Sequence, residues 1–217
     1  MEIWSFVNSK GGVGKSTLSV HIAHALMAQG KEVCIVDADP QGSIRNWQDT
    51  GQVTQFTVIG LDRRQALKSL PYVVDNKAYH YCLIDTPGRI AEIQAVAISL
   101  SKKIFIPVQP SPYDIWASGD VVELIKARQN VLTGLPECPF SAFIINRAKN
   151  NTIMGREVRE ALKEFDMPVC DTVVYHRESY LKSIAEGRTV ISSKDKDSVK
   201  AKQEIDTLTL ELQAFTQ

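Results

Sequence analysis

The stretch Ser9-Lys10-Gly11-Gly12-Val13-Gly14-Lys15-Ser16-Thr17 decides how this chain is read. Ahead of it, Ile3–Val7 is a short β-rich apolar run. Behind it, Leu18, Ile22, Ala25 and Leu26 recur at helical spacing, and Gly30 is placed to end the helix. A glycine-rich turn between strand and helix lets the backbone N–H groups of residues 11–17 surround phosphate oxygens, and the helix N-terminus adds favourable partial charge. Lys15 is then set to reach the β- and γ-phosphates of a nucleoside triphosphate, with the Ser16 hydroxyl placed to ligate Mg²⁺. A strict G-x-x-x-x-G-K-[ST] pattern would have glycine where Ser9 stands, so the loop departs from the common form.

Working outward, apolar runs recur at Val33–Val36, Phe56–Ile59, Tyr81–Ile84, Ile104–Val108 and Ala142–Ile145. Segments with helical spacing separate or follow them, at Glu92–Leu100, Ile115–Arg128, Ile153–Phe165, Ser179–Ala185 and Ser198–Phe215. Strands alternating with helices predict an α/β fold: a mostly parallel central sheet with helices on both faces. In such a sheet ligands gather at the carboxyl ends of the strands. Two of those ends carry aspartates, in Asp37-Ala38-Asp39-Pro40-Gln41-Gly42 and in Asp85-Thr86-Pro87-Gly88. An apolar strand ending in Asp85 suits a carboxylate facing the Mg²⁺ shell, and the Gly88 N–H is placed to register a γ-phosphate. Asp37 has a second reading, as a cap on the helix that follows.

The KGGVGKST segment, with its extra Lys10, resembles the deviant Walker A motif of the ParA/MinD family of P-loop NTPases, and small ParA-type partition ATPases in particular. The Asp37–Gly42 segment is similar to that family's first switch. The resemblance implies ATP and Mg²⁺ as ligands, with Asp39 orienting the attacking water and Asp37, Ser16 and Asp85 around the metal. It implies a nucleotide-sandwich homodimer in which Lys10 crosses to the partner's phosphates, like an arginine finger. Asn146, at the end of the run Phe143-Ile144-Ile145, would hydrogen-bond the adenine edge, with Arg147 beside it. The Pro-rich segment Ile104–Asp114 looks like one that lies near the nucleotide and dimer contact, though a plain strand-to-helix connection also accounts for it.

By the same resemblance, the ATP-loaded dimer would bind nucleoid DNA without sequence preference, and a ParB-type centromere-binding partner would accelerate slow hydrolysis. Arg177, Lys182, Arg188, Lys194 and Lys200 are the candidate phosphate contacts, with steep salt dependence as their signature. The phosphate loop begins almost at residue 1, so residues 1–217 are expected to be one ATPase domain with no N-terminal helix-turn-helix.

Composition sets wide bounds. Lys plus Arg equals Asp plus Glu at 25 each, so overall charge neither indicates nor excludes a nucleic-acid partner. Cys34, Cys82, Cys138 and Cys170 form no CxxC pair and read as structural thiols of a reducing compartment. The N-terminus lacks signal-peptide character, and no apolar run reaches the roughly 18 residues of a membrane span. The segment Glu204–Leu212 is acidic at its polar positions, unlike the basic amphipathic helix that holds a MinD-type regulator on an anionic membrane. The expectation is a cytoplasmic, nucleoid-associated protein.

Overall fold

A computed structural model describes residues 1–50, 57–74, 77–149 and 154–215. Among the described residues the six strands are β1 (Glu2–Phe6), β2 (Val33–Asp37), β3 (Thr57–Gly60), β4 (Tyr81–Asp85), β5 (Lys103–Val108) and β6 (Phe140–Ile145). They form one sheet in the order β3-β2-β4-β1-β5-β6, every pairing parallel. Period-two alternation explains why both faces are covered. Val33 and Ile35 of β2 join Trp4, Phe6 and Leu83 under α1 (Lys15–Ala28) and α10 (Ser198–Ala214). Cys34 and Val36 point the other way, with Cys82 and Ile84, toward α3 (Arg64–Lys68), α4 (Leu70–Val73) and α5 (Ala91–Leu100). Farther along that second face, Ile104, Ile106 and Phe143 pack against α7 (Gly119–Val131) and α8 (Met154–Lys163).

Because all strands run the same way, the loops after β1, β2, β4, β5 and β6 open at one end of the sheet. Register sharpens this: Asp37 stands opposite Asp85 across β2 and β4, and Phe6 pairs with both Asp85 and Phe105. The polar ends of neighbouring strands therefore converge on the phosphate loop.

The structure departs from the sequence reading for local reasons. The helix expected over Ile115–Arg128 is two helices, α6 (Pro112–Ala117) and α7, separated at Ser118. The Ser118 hydroxyl donates to the Asp114 carbonyl at 2.9 Å and accepts from Asn8 Nδ2 at 3.4 Å, which pins the break to the phosphate-loop strand. The helix that the capping reading of Asp37 calls for is the short α2 (Ser43–Gln48), whose six residues are too few to show periodicity. The expected strand start Phe56 and helix start Ile153 lie outside the described residues. The last two helices, α9 (Glu178–Ala185) and α10, fall within one residue of their expected limits.

The cysteines are free thiols, with Cys34, Cys82 and Cys170 buried. No helix among the described residues is long and apolar enough to cross a membrane.

Candidate nucleotide site

The phosphate loop follows β1 and runs into α1 at Lys15, with Gly14 at φ 97°. A β-carbon on Gly14 would stand 2.2 Å from Asn146 Nδ2, so both the backbone angle and the close approach of β6 require glycine there. A cavity of about 330 Å³ opens above the loop. Gly11, Gly12, Gly14, Lys15, Ser16 and Thr17 form its floor, Asp39, Thr86 and Gly88 one side, and Asn146 and Arg147 another. Val174, Tyr175, His176, Arg177, Tyr180 and Leu181 close the far wall. Phosphates at an α-helix N-terminus beneath a half-apolar base pocket form the arrangement a purine nucleotide needs.

Lys15 is buried, and its ammonium donates to the carbonyls of Asn8 at 3.2 Å and Lys10 at 3.1 Å. Burial lowers its pKa, and the carboxylates of Asp85 and Asp39 work against that. Ser16 Oγ donates to Asp85 Oδ2 at 2.5 Å, while Asp85 Oδ1 is buried with no hydrogen-bond partner. Burial pushes the Asp85 carboxyl up to about 7, with Asp37 and Asp39 adding to the rise and the Ser16 hydrogen bond and Lys15 opposing it. An orphaned carboxylate oxygen beside a phosphate-loop hydroxyl fits a Mg²⁺ shell, in which Ser16 would ligate directly and Asp85 through water. Mg²⁺ there would neutralise charge on the β- and γ-phosphates.

Asp37 does not share that arrangement. Its Oδ2 accepts the N–H groups of Ile44 at 3.1 Å and Arg45 at 3.0 Å, and Oδ1 accepts that of Asp39 at 3.2 Å. The carboxylate satisfies orphan donors at the start of α2, the arrangement of the capping reading. Asp39 does face the cavity, with Oδ1 accepting the Gln41 N–H at 2.9 Å.

Asn146 lines the cavity, but its amide N–H donates to the Val13 carbonyl at 2.7 Å. That bond uses one of its two amide hydrogens, which leaves the other and the oxygen for a base edge. Val13 itself is buried beneath the loop, so its part in phosphate binding is limited to its backbone. Arg147 sits at φ 55°, and its guanidinium donates to the Gly12 carbonyl at 2.9 Å. Gly88 has Gly11 N 3.2 Å and Ser9 O 3.3 Å from where a β-carbon would lie, which places the loop after β4 directly against the phosphate loop.

The expected DNA contacts divide. Arg177 lines the cavity wall, and its Nε donates to Glu204 at 2.9 Å. Lys182 pairs with Asp195 at 2.7 Å, and Arg188 with Glu186 at 3.2 Å. Pairing reduces what either offers a DNA phosphate. Lys194 and Lys200 are exposed, with no ion pair among the described residues.

Several contributors escaped sequence reading. Asn8 accepts the Lys10 N–H at 2.9 Å and donates to the Pro107 carbonyl at 2.8 Å. Gln94 spans the Asn8 and Pro87 carbonyls at 3.1 and 2.8 Å. The irregular chain that leads into the far wall is held by α10: Glu211 accepts the Asp171 and Thr172 N–H groups at 2.5 and 2.9 Å, and Glu204 accepts that of Tyr175 at 3.3 Å. The acidic positions of the last helix thus have a structural task. His21, on the buried face of α1, hydrogen-bonds the Thr17 carbonyl at 2.7 Å and meets the Tyr180 ring edge-on at 5.2 Å, tying the phosphate-loop helix to α9.

A parallel sheet whose central strand feeds a phosphate loop defines a P-loop nucleotide-binding protein. The chain belongs to the CobQ/CobB/MinD/ParA nucleotide-binding domain family, whose model matches residues 4–190. It is 31% identical over 189 residues to maintenance of carboxysome distribution protein A of Halothiobacillus neapolitanus, covering 84% of this chain and 83% of that protein. To the chromosome-partitioning ATPase Soj of Thermus thermophilus it is 23% identical over 218 residues, covering 86% of each. Its fold superimposes on the ATP complex of a Cyanothece McdA variant with a TM-score of 0.74 and 15% identity, covering 100% of this chain and 99% of that one.

Proposed function

We propose that this chain is an ATP-driven positioning switch: a Mg²⁺-dependent ATPase that dimerises around nucleotide, binds nucleoid DNA without sequence preference, and distributes a cargo along it. The observation that carries the reading is the placement of Lys10. It belongs to the phosphate loop, yet it is absent from the lining of its own cavity and its ammonium lies 2.7 Å from Asp114 on α6. A lysine held at the loop's outer edge is suited to serve a second subunit's phosphates, as the deviant motif implies.

In this reading Lys15 and the loop amides hold the β- and γ-phosphates, and Asp39 positions a water for in-line attack. Lys10 arrives from the partner to meet charge that grows on the transferring group. Gly88 and the Asp37–Gly42 loop relax when the γ-phosphate departs, so the dimer opens and leaves DNA. A cargo-bound partner protein accelerates the step. The 31% identity to a carboxysome-distribution protein against 23% to a chromosome-partitioning one favours a carboxysome-like cargo over a chromosome.

The test is binding to random-sequence duplex DNA with ATP, with ADP and without nucleotide, across a salt series, for wild type and Lys10→Ala. ATP-dependent, Lys10-dependent binding that weakens steeply with salt is expected. Absence of DNA binding in every state, with hydrolysis intact, would remove DNA from the account.

A further inference from the structure

We propose that Asp114 is a positioning residue that parks Lys10 within its own subunit and sets the ATP threshold for dimerisation. The inference rests on the in-trans role of Lys10 proposed above and adds a competitor for it.

The ion pair is asymmetric. Lys10 Nζ lies 2.7 Å from Asp114 Oδ2, with the lysine side chain 39% exposed and the aspartate side chain 4% exposed. The other oxygen, Asp114 Oδ1, is buried with no hydrogen-bond partner, and Lys10 is the cation recorded on this carboxylate among the described residues. Moving Lys10 away would leave a buried carboxylate uncompensated, which is far more costly than exposing the lysine. The lysine is therefore free to leave only when something repays Asp114 or when the new partner is strongly anionic, as a triphosphate is.

The geometry makes the parked state specific to this side of the loop. Lys10's own N–H is fixed by Asn8 Oδ1 at 2.9 Å, and Ser9 Oγ donates to the Ala117 carbonyl at 2.5 Å. The loop and α6 are thus fastened at both backbone and side chain, and Asp114 meets an ammonium that is already held nearby. Tyr113 and Trp116 flank it, 73% and 70% exposed, so the buried carboxylate lies just beneath an accessible edge from which Lys10 can leave. Asp114 competes with the second subunit's phosphates for one ammonium.

The experiment is the fraction of dimer by sedimentation velocity across ATP concentrations, for wild type, Asp114→Asn and Asp114→Ser, with each variant's thermal midpoint confirming that it folds. Both substitutions should lower the ATP concentration for half-dimerisation by about fivefold or more, since solvent screens the lysine half of the pair but not the buried carboxylate. If wild type stays monomeric while either variant dimerises with ATP, the latch is supported and is simply tighter. Wild-type dimerisation with an unchanged or higher threshold in both variants overturns the latch and leaves the in-trans reading standing. Monomers throughout, with ATP binding intact, overturn both.

Discussion

Asp37 and Asp85 stand directly opposite one another at the ends of β2 and β4, yet they do different work. Asp85 faces Ser16 of the phosphate loop, and Asp37 turns back to hold the first turn of α2. Replacing Asp37 with Ala strands the N–H groups of Ile44, Arg45 and Asp39, and should lower stability by about 2 kcal/mol. Replacing Asp85 with Ala relieves a buried charge and should cost little stability, but should weaken the Mg²⁺ dependence of ATP binding. Urea midpoints with and without Mg²⁺ separate the two; a stable Asp37→Ala that loses its Mg²⁺ response would return Asp37 to the metal shell.

The far wall of the cavity depends on α10. Glu204 pairs with Arg177, accepts the Tyr175 N–H, and lies 3.2 Å from the Tyr180 hydroxyl. Glu204→Ala leaves a half-buried guanidinium and two donors without this acceptor. We expect a stability loss of roughly 2–4 kcal/mol together with weaker nucleotide binding. Lys200→Ala, on the same helix but exposed, should alter neither; calorimetric ATP titration and thermal melts of both variants make the comparison.

Gly88 offers a separate probe of the second switch. An alanine there presses on the Gly11 N–H and the Ser9 carbonyl, both backbone atoms that yield little. Gly88→Ala is expected to reduce ATP affinity severalfold while changing the melting temperature by only a few degrees. Unaltered ATP and ADP affinities would detach this glycine from phosphate sensing.

His21 gives the pH dependence a sign. Burial lowers its pKa to about 4 from the ordinary 6.5, so the unfolded chain takes up a proton on acidification before the folded one does. Its stabilising contribution is present above pH 6.5 and drains away as the pH falls toward 4. Between pH 7.5 and 5, wild type should lose on the order of 2 kcal/mol relative to His21→Asn. Asp85 titrates in both proteins, so the difference between their denaturation curves isolates the histidine. Parallel pH profiles would contradict a buried neutral His21.

What could be read from the sequence followed from strong local signals. Residues 9–17 carry glycine, lysine and hydroxyl groups at spacings that phosphate chemistry restricts, and the strands are runs of apolar residues with both faces buried. Asp37 was ambiguous because an aspartate before a helix serves a metal or a cap with the same residue type; only the path of the following chain decides. Arg177 looked like a surface cation because its partner Glu204 is distant in sequence and approaches through packing of α10. The Val174–Arg177 wall has no periodicity to betray it, and the sequence marks Asp114 only as the end of the Pro-rich segment, since its contact with Lys10 spans residues far apart in the chain.

The central claim is that each active site is completed by Lys10 of the other subunit. Lys10→Ala keeps its own Asp39, and Asp39→Ala keeps its own Lys10, so each variant alone should bind ATP and hydrolyse almost none. Mixed, they form heterodimers in which one site has Asp39 and receives Lys10 from across the interface. Phosphate release from the mixture that neither variant gives alone is the predicted result; a mixture no more active than its two components would contradict the account.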